Sequence, residues 1–189
     1  KAPEEAAAPA EAEATTMDQL YIEVSALGNL DYFFDHKMGM EMVGKELGVR
    51  TEYVGPAEYD MNAMVAAFEQ AIAKKPNGLV VVGFEPSLNA IVDKAVDQGI
   101  PVVTVDADLP GSKRLAFVGT GNYGAGVTGG NKLAEMIGNK GKVAIMLKPG
   151  QSNLEERVAG YKAALAKYSG IQIVQLVDTQ SDPIVAAQA

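Results

Sequence analysis

Polar and aromatic side chains follow three apolar segments of this sequence, within short stretches rich in Gly, Asp and Asn. Carboxylates accept hydrogen bonds, an arginine donates two in a fixed fork, and aromatic rings pack against apolar faces. This combination of groups indicates recognition of a small polar ligand. The residues are Asn29, Asp31, Tyr32 and Phe33 after the first apolar segment, Asp106 and Asp108 after the fourth, and Arg157 after the sixth.

Nucleophilic catalysis lacks its usual components in this chain. There is no cysteine, His36 is the single histidine, and no Gly-x-Ser-x-Gly stretch occurs, so a nucleophile and its base cannot be paired. One enzyme alternative remains, because GTGNYG at residues 119–124 fits the glycine pattern of NAD(P)-binding folds. It follows the fifth apolar segment rather than the first, and the next segment ends in Lys148 instead of an acidic residue. We therefore predict a non-enzyme without a cofactor.

Each candidate residue also has a structural explanation. Tyr32 and Phe33 open a helix pattern and would also fit a hydrophobic core. Asp106 and Asp108 would also serve as turn or cap residues, or as a metal-binding pair, although no third metal ligand is evident nearby. Arg157 would also fit a solvated helix surface, paired with a neighbouring glutamate.

Seven short apolar segments alternate with amphipathic ones. This alternation predicts strands and helices, and these elements position the candidate residues. Several segments are apolar throughout, as expected of parallel strands covered on both faces. Asp60 and Ser87 are placed to cap two helices, the second of which ends at Gly99 and Pro101. The order predicts an α/β fold with doubly wound parallel sheets, in which ligands lie beyond the carboxyl ends of the strands. The predicted strands are residues 20–25, 49–54, 78–82, 101–105, 115–118, 142–147 and 171–176.

Composition and charge narrow the partners and the compartment. With 48% apolar residues among 189, the chain can bury a core, and its net charge of −8 disfavours nucleic acid. Charged residues or Gly interrupt every apolar run, so no membrane span is predicted. Residues 1–19 are rich in Ala, Glu and Pro and are predicted to be disordered. They resemble the spacers that follow the lipidated cysteine of bacterial lipoproteins, so we expect a signal peptide before them and an anchor outside the cytoplasm. The alternative is a flexible tail without such a role.

Several longer stretches resemble the type I periplasmic binding proteins for ribose, galactose and related sugars. SALGNLDYFF, with the helix pattern that ends in KELG, is similar to that family's first strand, aromatic pair and first helix. GLVVVGFEPSLNAIVDKAVDQGIPVVTVDADLP is similar to its buried strand, helix and following strand, which ends in Asp. VGTGNYGAGVTGG resembles the crossing between its two lobes, and NLEERVAGYKAAL resembles a helix of the second lobe.

The resemblance implies roles for the candidate residues. Tyr32 and Phe33 match aromatic rings that face the sugar, Asp106 matches a carboxylate that accepts from sugar hydroxyls, and Arg157 matches a ligand-contacting arginine. The family has an asparagine before the aromatic pair, and two residues of this sequence are candidates for its ligand-binding role. They are Asn29 and Asp31.

The strand end around Asp106 departs from the ribose-binding pattern. Ala107 replaces an arginine of the ribose binders, and with Asp108 it forms the sequence DAD. This sequence is more similar to relatives for deoxysugars, inositol or autoinducer-type sugars. The resemblance therefore implies a sugar ligand without fixing which one.

The resemblance also implies an organisation and a role. It implies a first lobe at 20–121 and, at 122–189, the first part of a second lobe, which we expect to be incomplete and to bind sugar weakly without further residues. The implied role is the sugar-binding component of an ABC importer, outside the cytoplasm, with a membrane permease as partner. At full length we expect a monomer. The alternative from another class is a sensor module that reports a sugar to a membrane receptor.

Overall fold

The computed structural model describes residues 18–189, so residues 1–17 of the predicted tail lie outside the described residues. The strands are β1 (Leu20–Val24), β2 (Arg50–Val54), β3 (Gly78–Val81), β4 (Val102–Asp106), β5 (Ala116–Gly119), β6 (Lys140–Leu147) and β7 (Gly170–Asp178). The helices are α1 (Phe34–Leu47), α2 (Met61–Ala73), α3 (Asn89–Asp97), α4 (Asn122–Met136), α5 (Ser152–Leu165) and α6 (Pro183–Gln188). Within residues 18–189, no helix is both long and apolar enough to cross a membrane.

The strands form two parallel sheets. The first contains five strands in the order β2-β1-β3-β4-β5, and the second pairs β6 with β7. In the first sheet Leu20 lies opposite Arg50, and Leu79 lies opposite Val102. All seven predicted strands are present, and the predicted α/β class with parallel sheets is confirmed.

The main core lies around the first sheet. Ile22, Val24 and Val102 of its strands are fully buried, as are Met64 and Phe68 of α2. Burying side chains of this size contributes about 1.5 to 3 kcal/mol each, so this core holds the loops at the strand ends in place.

The two predicted helix caps have different outcomes. The Asp60 carboxylate accepts from the Ala63 N–H at 2.9 Å, as predicted. The prediction for Ser87 is wrong, because its side chain forms no cap bond at the start of this helical segment. Pro86 opens a 3-10 turn over Pro86–Leu88, which places Ser87 inside the first turn instead of before it.

Glycines allow α4 and α5 to approach until their backbones touch. A methyl group on Gly126 would lie 2.0 Å from the carbonyl oxygen of Arg157, and one on Gly160 would lie 2.2 Å from that of Tyr123. No side chain fits into either gap. The backbone of Arg157 is therefore held directly against α4.

Gly160→Ala is expected to destabilise the protein by about 1 to 3 kcal/mol, because the added methyl group must push two helix backbones apart. Gly124→Ala is the matched control, since a methyl group there meets no atom within 4 Å. Because alanine favours helix over glycine, the control should be neutral or stabilising by up to about 1 kcal/mol. Urea unfolding measures both, and equal midpoints for the two variants would refute this packing.

Candidate ligand-binding site

A cavity of about 240 Å³ lies where loops of the two sheets meet. This volume is below the about 300 to 1,000 Å³ of sites for drug-sized ligands, so it suits a smaller molecule. A hollow of about 410 Å³ adjoins it and shares three of its residues, Leu27, Leu30 and Ser181. The cavity is lined from the first sheet by Leu27, Leu30, Tyr32, Phe33, Phe84 and Asp106, and from the second by Gln151, Asn153, Leu154, Arg157 and Ser181.

The first sheet contributes a tyrosine bonded to a carboxylate. The Tyr32 hydroxyl donates to Asp106 Oδ1 at 2.8 Å. Partial desolvation and this bond raise the pKa of Tyr32 to about 12, so the phenol remains a donor at neutral pH. Asp106 has a φ of +62°, a left-handed conformation uncommon in residues other than glycine. The last residue of β4 thus turns its carboxylate to the cavity at some cost in backbone strain.

Phe33 lies beside Tyr32 in the sequence but has a different environment. It is 2% exposed, whereas Tyr32 is 59% exposed. Its ring packs edge-on against Tyr32, His36 and Phe84, at centroid distances of 5.0, 5.1 and 5.9 Å. Phe33 therefore borders the cavity as part of the core that supports it.

The second sheet contributes the arginine and several polar groups that the sequence prediction had not placed in the site. Arg157 donates from Nε and Nη2 to Asn122 Oδ1 on α4, at 3.1 and 2.5 Å. Gln151 Nε2 donates to the Ser181 hydroxyl at 3.2 Å. Ser181 itself has a left-handed backbone, with φ of +56°. Gln151 lies in the loop after β6, beyond the carboxyl end of a strand, where the sequence predicts ligands to bind, although it is not among the predicted binding residues.

Direct contacts join the loops of the two sheets beside the cavity. The Ser152 N–H donates to the Phe84 carbonyl at 3.1 Å. The Lys148 ammonium lies 5.9 Å from the centroid of the Tyr59 ring. The Tyr59 hydroxyl donates to Glu85 at 2.6 Å, and burial together with this bond raises the pKa of Tyr59.

Three of the predicted residues lie outside the cavity. Both carboxylate oxygens of Asp108 accept from Arg114, at 2.5 and 2.6 Å, and this bond holds the pKa of Asp108 below its usual range. Asn29 borders the adjoining hollow. Asp31 borders a separate outer groove beside Phe34. The structure thus brings together Tyr32, Phe33, Asp106 and Arg157 from the predicted set.

The alternative chemistries have little structural basis in the part of the chain described. No cluster of three His, Cys, Asp or Glu side chains that could hold a metal occurs among residues 18–189. The glycine-rich segment at 119–124 joins β5 to α4. The side chain of its Asn122 is bonded to Arg157 and to the Thr120 carbonyl.

A buried ion pair lies behind the site. His36 Nδ1 is 2.6 Å from Glu23 Oε1, and Glu23 on β1 is 3% exposed. The bond to Glu23 raises the pKa of His36, against the opposing effect of burial. A raised pKa means that the folded state binds the proton more tightly than the unfolded chain does. The resulting stability is complete below the unfolded pKa of about 6.5 and is lost as pH rises through the folded pKa.

His36→Gln is therefore expected to lose more stability at acidic than at alkaline pH. Melting temperatures of wild type and variant between about pH 5.5 and 9 give this difference directly, because other titrating groups are common to both proteins. The gap should narrow as pH rises. A gap that stays constant or widens would contradict the ion pair.

Two parallel α/β sheets, with a cavity of apolar and polar side chains between their loops, are the architecture of a binding protein built from two lobes. A sequence profile of the periplasmic binding protein domain matches residues 22–189, and the chain belongs to this family. The match begins within β1 and covers every later strand and helix.

Several characterised relatives are similar to this chain. Ribose import binding protein RbsB of Bacillus subtilis is 28% identical over 142 residues, which are 74% of this chain and 46% of RbsB. GanP, a glucose-galactose binding protein from Geobacillus stearothermophilus, is 32% identical with a TM-score of 0.86, covering 90% of this chain and 61% of GanP. An ABC transporter solute-binding protein from Burkholderia graminis, in complex with D-arabinose, is 28% identical with a TM-score of 0.88, covering 93% and 61%.

The chain thus spans about half the length of RbsB and about three fifths of the two solved structures. These comparisons confirm the predicted family and the two-lobed fold class, of which these residues supply the second lobe in part. The named relatives are sugar-binding proteins, so at the level of the family the chain is a binding protein and not an enzyme. The NAD(P) alternative gains no support. Another similar structure, XylFII in complex with LytSN, is 30% identical with a TM-score of 0.86, so the sensor module stays an alternative.

Proposed function

We propose that this chain is the ligand-contacting part of the substrate-binding component of an ABC importer for a monosaccharide or a related polyol. One observation carries the proposal. Asp106 and Tyr32 from the first sheet line the same cavity as Arg157 from the second. A ligand between them would join the two sheets through hydrogen bonds on both sides.

The charges around the cavity favour a neutral ligand. Asp106 and Arg157 offset one another, so a ligand with a net charge would be buried without a counter-charge, which is costly. A sugar hydroxyl both donates and accepts, so it can satisfy a carboxylate on one side and a guanidinium on the other. The exposed ring of Tyr32 offers a face for the C–H groups of a sugar ring.

We assign different roles to the predicted site residues. Tyr32, Asp106 and Arg157 form the direct ligand site, and Phe33 supports it from the core. Asn29 would contact only a ligand that extends into the adjoining hollow. Asp108 supports its loop instead, through Arg114, and Asp31 borders the outer groove, away from the ligand.

The cellular arrangement follows from the family and is also a proposal. The binding protein works outside the cytoplasm and delivers its sugar to a membrane permease, and the Ala-, Glu- and Pro-rich composition of residues 1–19 supports a lipid-anchored form. Residues 20–121 form the first lobe and residues 122–189 belong to the second, whose closure over the sugar creates the surface that the permease recognises. The full-length protein acts as a monomer.

Titration calorimetry on the full-length protein tests the ligand class. The panel contains pentoses, hexoses, deoxysugars, inositols and pentitols, with leucine and NAD⁺ as controls. Leucine is included because a zwitterion could also pair with Asp106 and Arg157. We expect one-to-one binding of at least one sugar or polyol, and none of either control. Binding of leucine or NAD⁺ without any sugar would overturn the proposal.

The importer role needs a separate measurement. Purified permease and ATPase subunits in lipid nanodiscs should hydrolyse ATP faster when the sugar-loaded binding protein is added. The ligand-free binding protein should stimulate hydrolysis less. If neither form has an effect, while a receptor kinase responds to the loaded form, the protein is a sensor instead.

A further inference from the structure

Asn122 has a buried side chain, and its hydrogen bonds fix the orientation of its amide group. It is 3% exposed and lies at the first position of α4, just after the crossing from β5. Its Nδ2 donates to the Thr120 carbonyl at 3.0 Å. Because that carbonyl can only accept, the amide is oriented with Oδ1 toward Arg157.

The guanidinium of Arg157 is held by this oxygen. Nε and Nη2 donate to Asn122 Oδ1 at 3.1 and 2.5 Å. A guanidinium carries five N–H donors, so two are occupied and three remain for a ligand. The backbone of Arg157 is fixed as well, by its contact with Gly126. Helix α4 therefore holds both ends of this side chain, although the side chain belongs to α5.

We infer that Asn122 is a positioning residue that sets the Arg157 guanidinium in its ligand-binding orientation before the ligand arrives. The inference rests on the proposed function, because it assigns the free donors of Arg157 to the sugar. Pre-ordering a flexible side chain removes part of the entropy cost that binding would otherwise carry. Asn122 thus acts on affinity through Arg157, without touching the ligand.

A double-mutant cycle on the full-length protein tests this dependence, with the tightest-binding sugar of the panel as probe. Asn122→Ala should weaken binding about 2- to 10-fold in the wild-type background. In the Arg157→Ala background the same change should have no further effect, because there is no guanidinium left to position. An equal loss in both backgrounds would show a merely structural role and overturn the inference.

Asn122→Asp adds a readout that separates positioning from structure. It keeps an acceptor for the guanidinium but loses the bond that Nδ2 donates to Thr120. If Asn122 positions Arg157, the aspartate variant should retain more affinity than the alanine variant. If the bond to Thr120 matters instead, the aspartate variant should be no better, which would contradict the inference.

A ligand-free measurement keeps the inference testable even if no sugar binds and the proposed function fails. In ¹⁵N-labelled protein, Arg157→Lys identifies the Arg157 Nε–H signal by its disappearance. We expect slow solvent exchange for this proton in the wild type and fast exchange in Asn122→Ala. Unchanged exchange in the variant would refute positioning by Asn122, whatever the ligand.

Discussion

Asp106→Ala is expected to weaken sugar binding by about 10- to 150-fold, the value of one charge-assisted hydrogen bond. The carboxylate lies at the end of β4 and lines the cavity opposite Arg157. In the ligand-free state its partner is the Tyr32 hydroxyl, at 2.8 Å. A sugar hydroxyl can donate to this carboxylate beside the Tyr32 hydroxyl or in place of it. Alanine offers no acceptor for such a bond. Titration calorimetry with the tightest-binding sugar measures the change.

Two further variants show whether the Asp106 effect is specific. Asp106→Asn keeps the side-chain shape and tolerates the left-handed backbone, so any loss of affinity reflects the lost charge and the exchange of one acceptor oxygen for a donor. Asp108→Asn is the matched control, because Asp108 is bonded to Arg114 and lies outside the cavity lining. It should lower the melting temperature and leave affinity unchanged. If Asp108→Asn weakens sugar binding and Asp106→Asn does not, the two aspartates have been assigned the wrong way round.

Phe33→Ala is expected to destabilise the protein by about 3 to 5 kcal/mol, a large share of the about 5 to 15 kcal/mol typical of a folded domain. The ring is 2% exposed and packs against Tyr32, His36 and Phe84, so its removal leaves a void that these side chains cannot fill. Chemical unfolding followed by circular dichroism measures the loss.

The neighbouring phenylalanine provides the control for Phe33. Phe34 is 60% exposed, so Phe34→Ala should change stability by no more than about 0.5 kcal/mol. Equal losses from the two substitutions would contradict the assignment of Phe33 to the core. In that case Phe33 would be a ligand-facing ring rather than a core residue.

The fold was predictable because its signals are local. Apolar runs such as residues 78–82 mark strands buried on both faces. The predicted bounds of each strand differ from the observed bounds by at most two residues. Asp60 caps as predicted, with its carboxylate bonded to the Ala63 N–H. Ser87 does not, since Pro86 starts a tighter turn one residue earlier. Capping thus depends on the neighbouring residue as well. A prediction from the polar type of the cap residue alone does not take that neighbour into account.

The site was predictable only where the sequence order determines which side chains meet. The strand-end rule made Asp106 a candidate, because it ends β4, and Arg157 a candidate, because it lies in the helix after β6. That both line one cavity depends on how the loops of the two sheets meet. The difference between Asp106 and Asp108 depends on Arg114, which reaches back across a loop. Asn122 was hidden inside a glycine-rich motif, where its bond to Arg157 depends on the packing of two helices. Such contacts are tertiary, and neither residue type nor spacing encodes them.

A crystal structure of the full-length protein with its tightest-binding sugar tests the central claim most directly. We expect the sugar in the cavity between the two sheets, with one hydroxyl within about 3.2 Å of the Asp106 carboxylate and another within that distance of the Arg157 guanidinium. The Asn122 side chain should remain bonded to Arg157. A sugar bound elsewhere, with the Tyr32–Asp106 bond unchanged and the cavity free of sugar, would contradict the account.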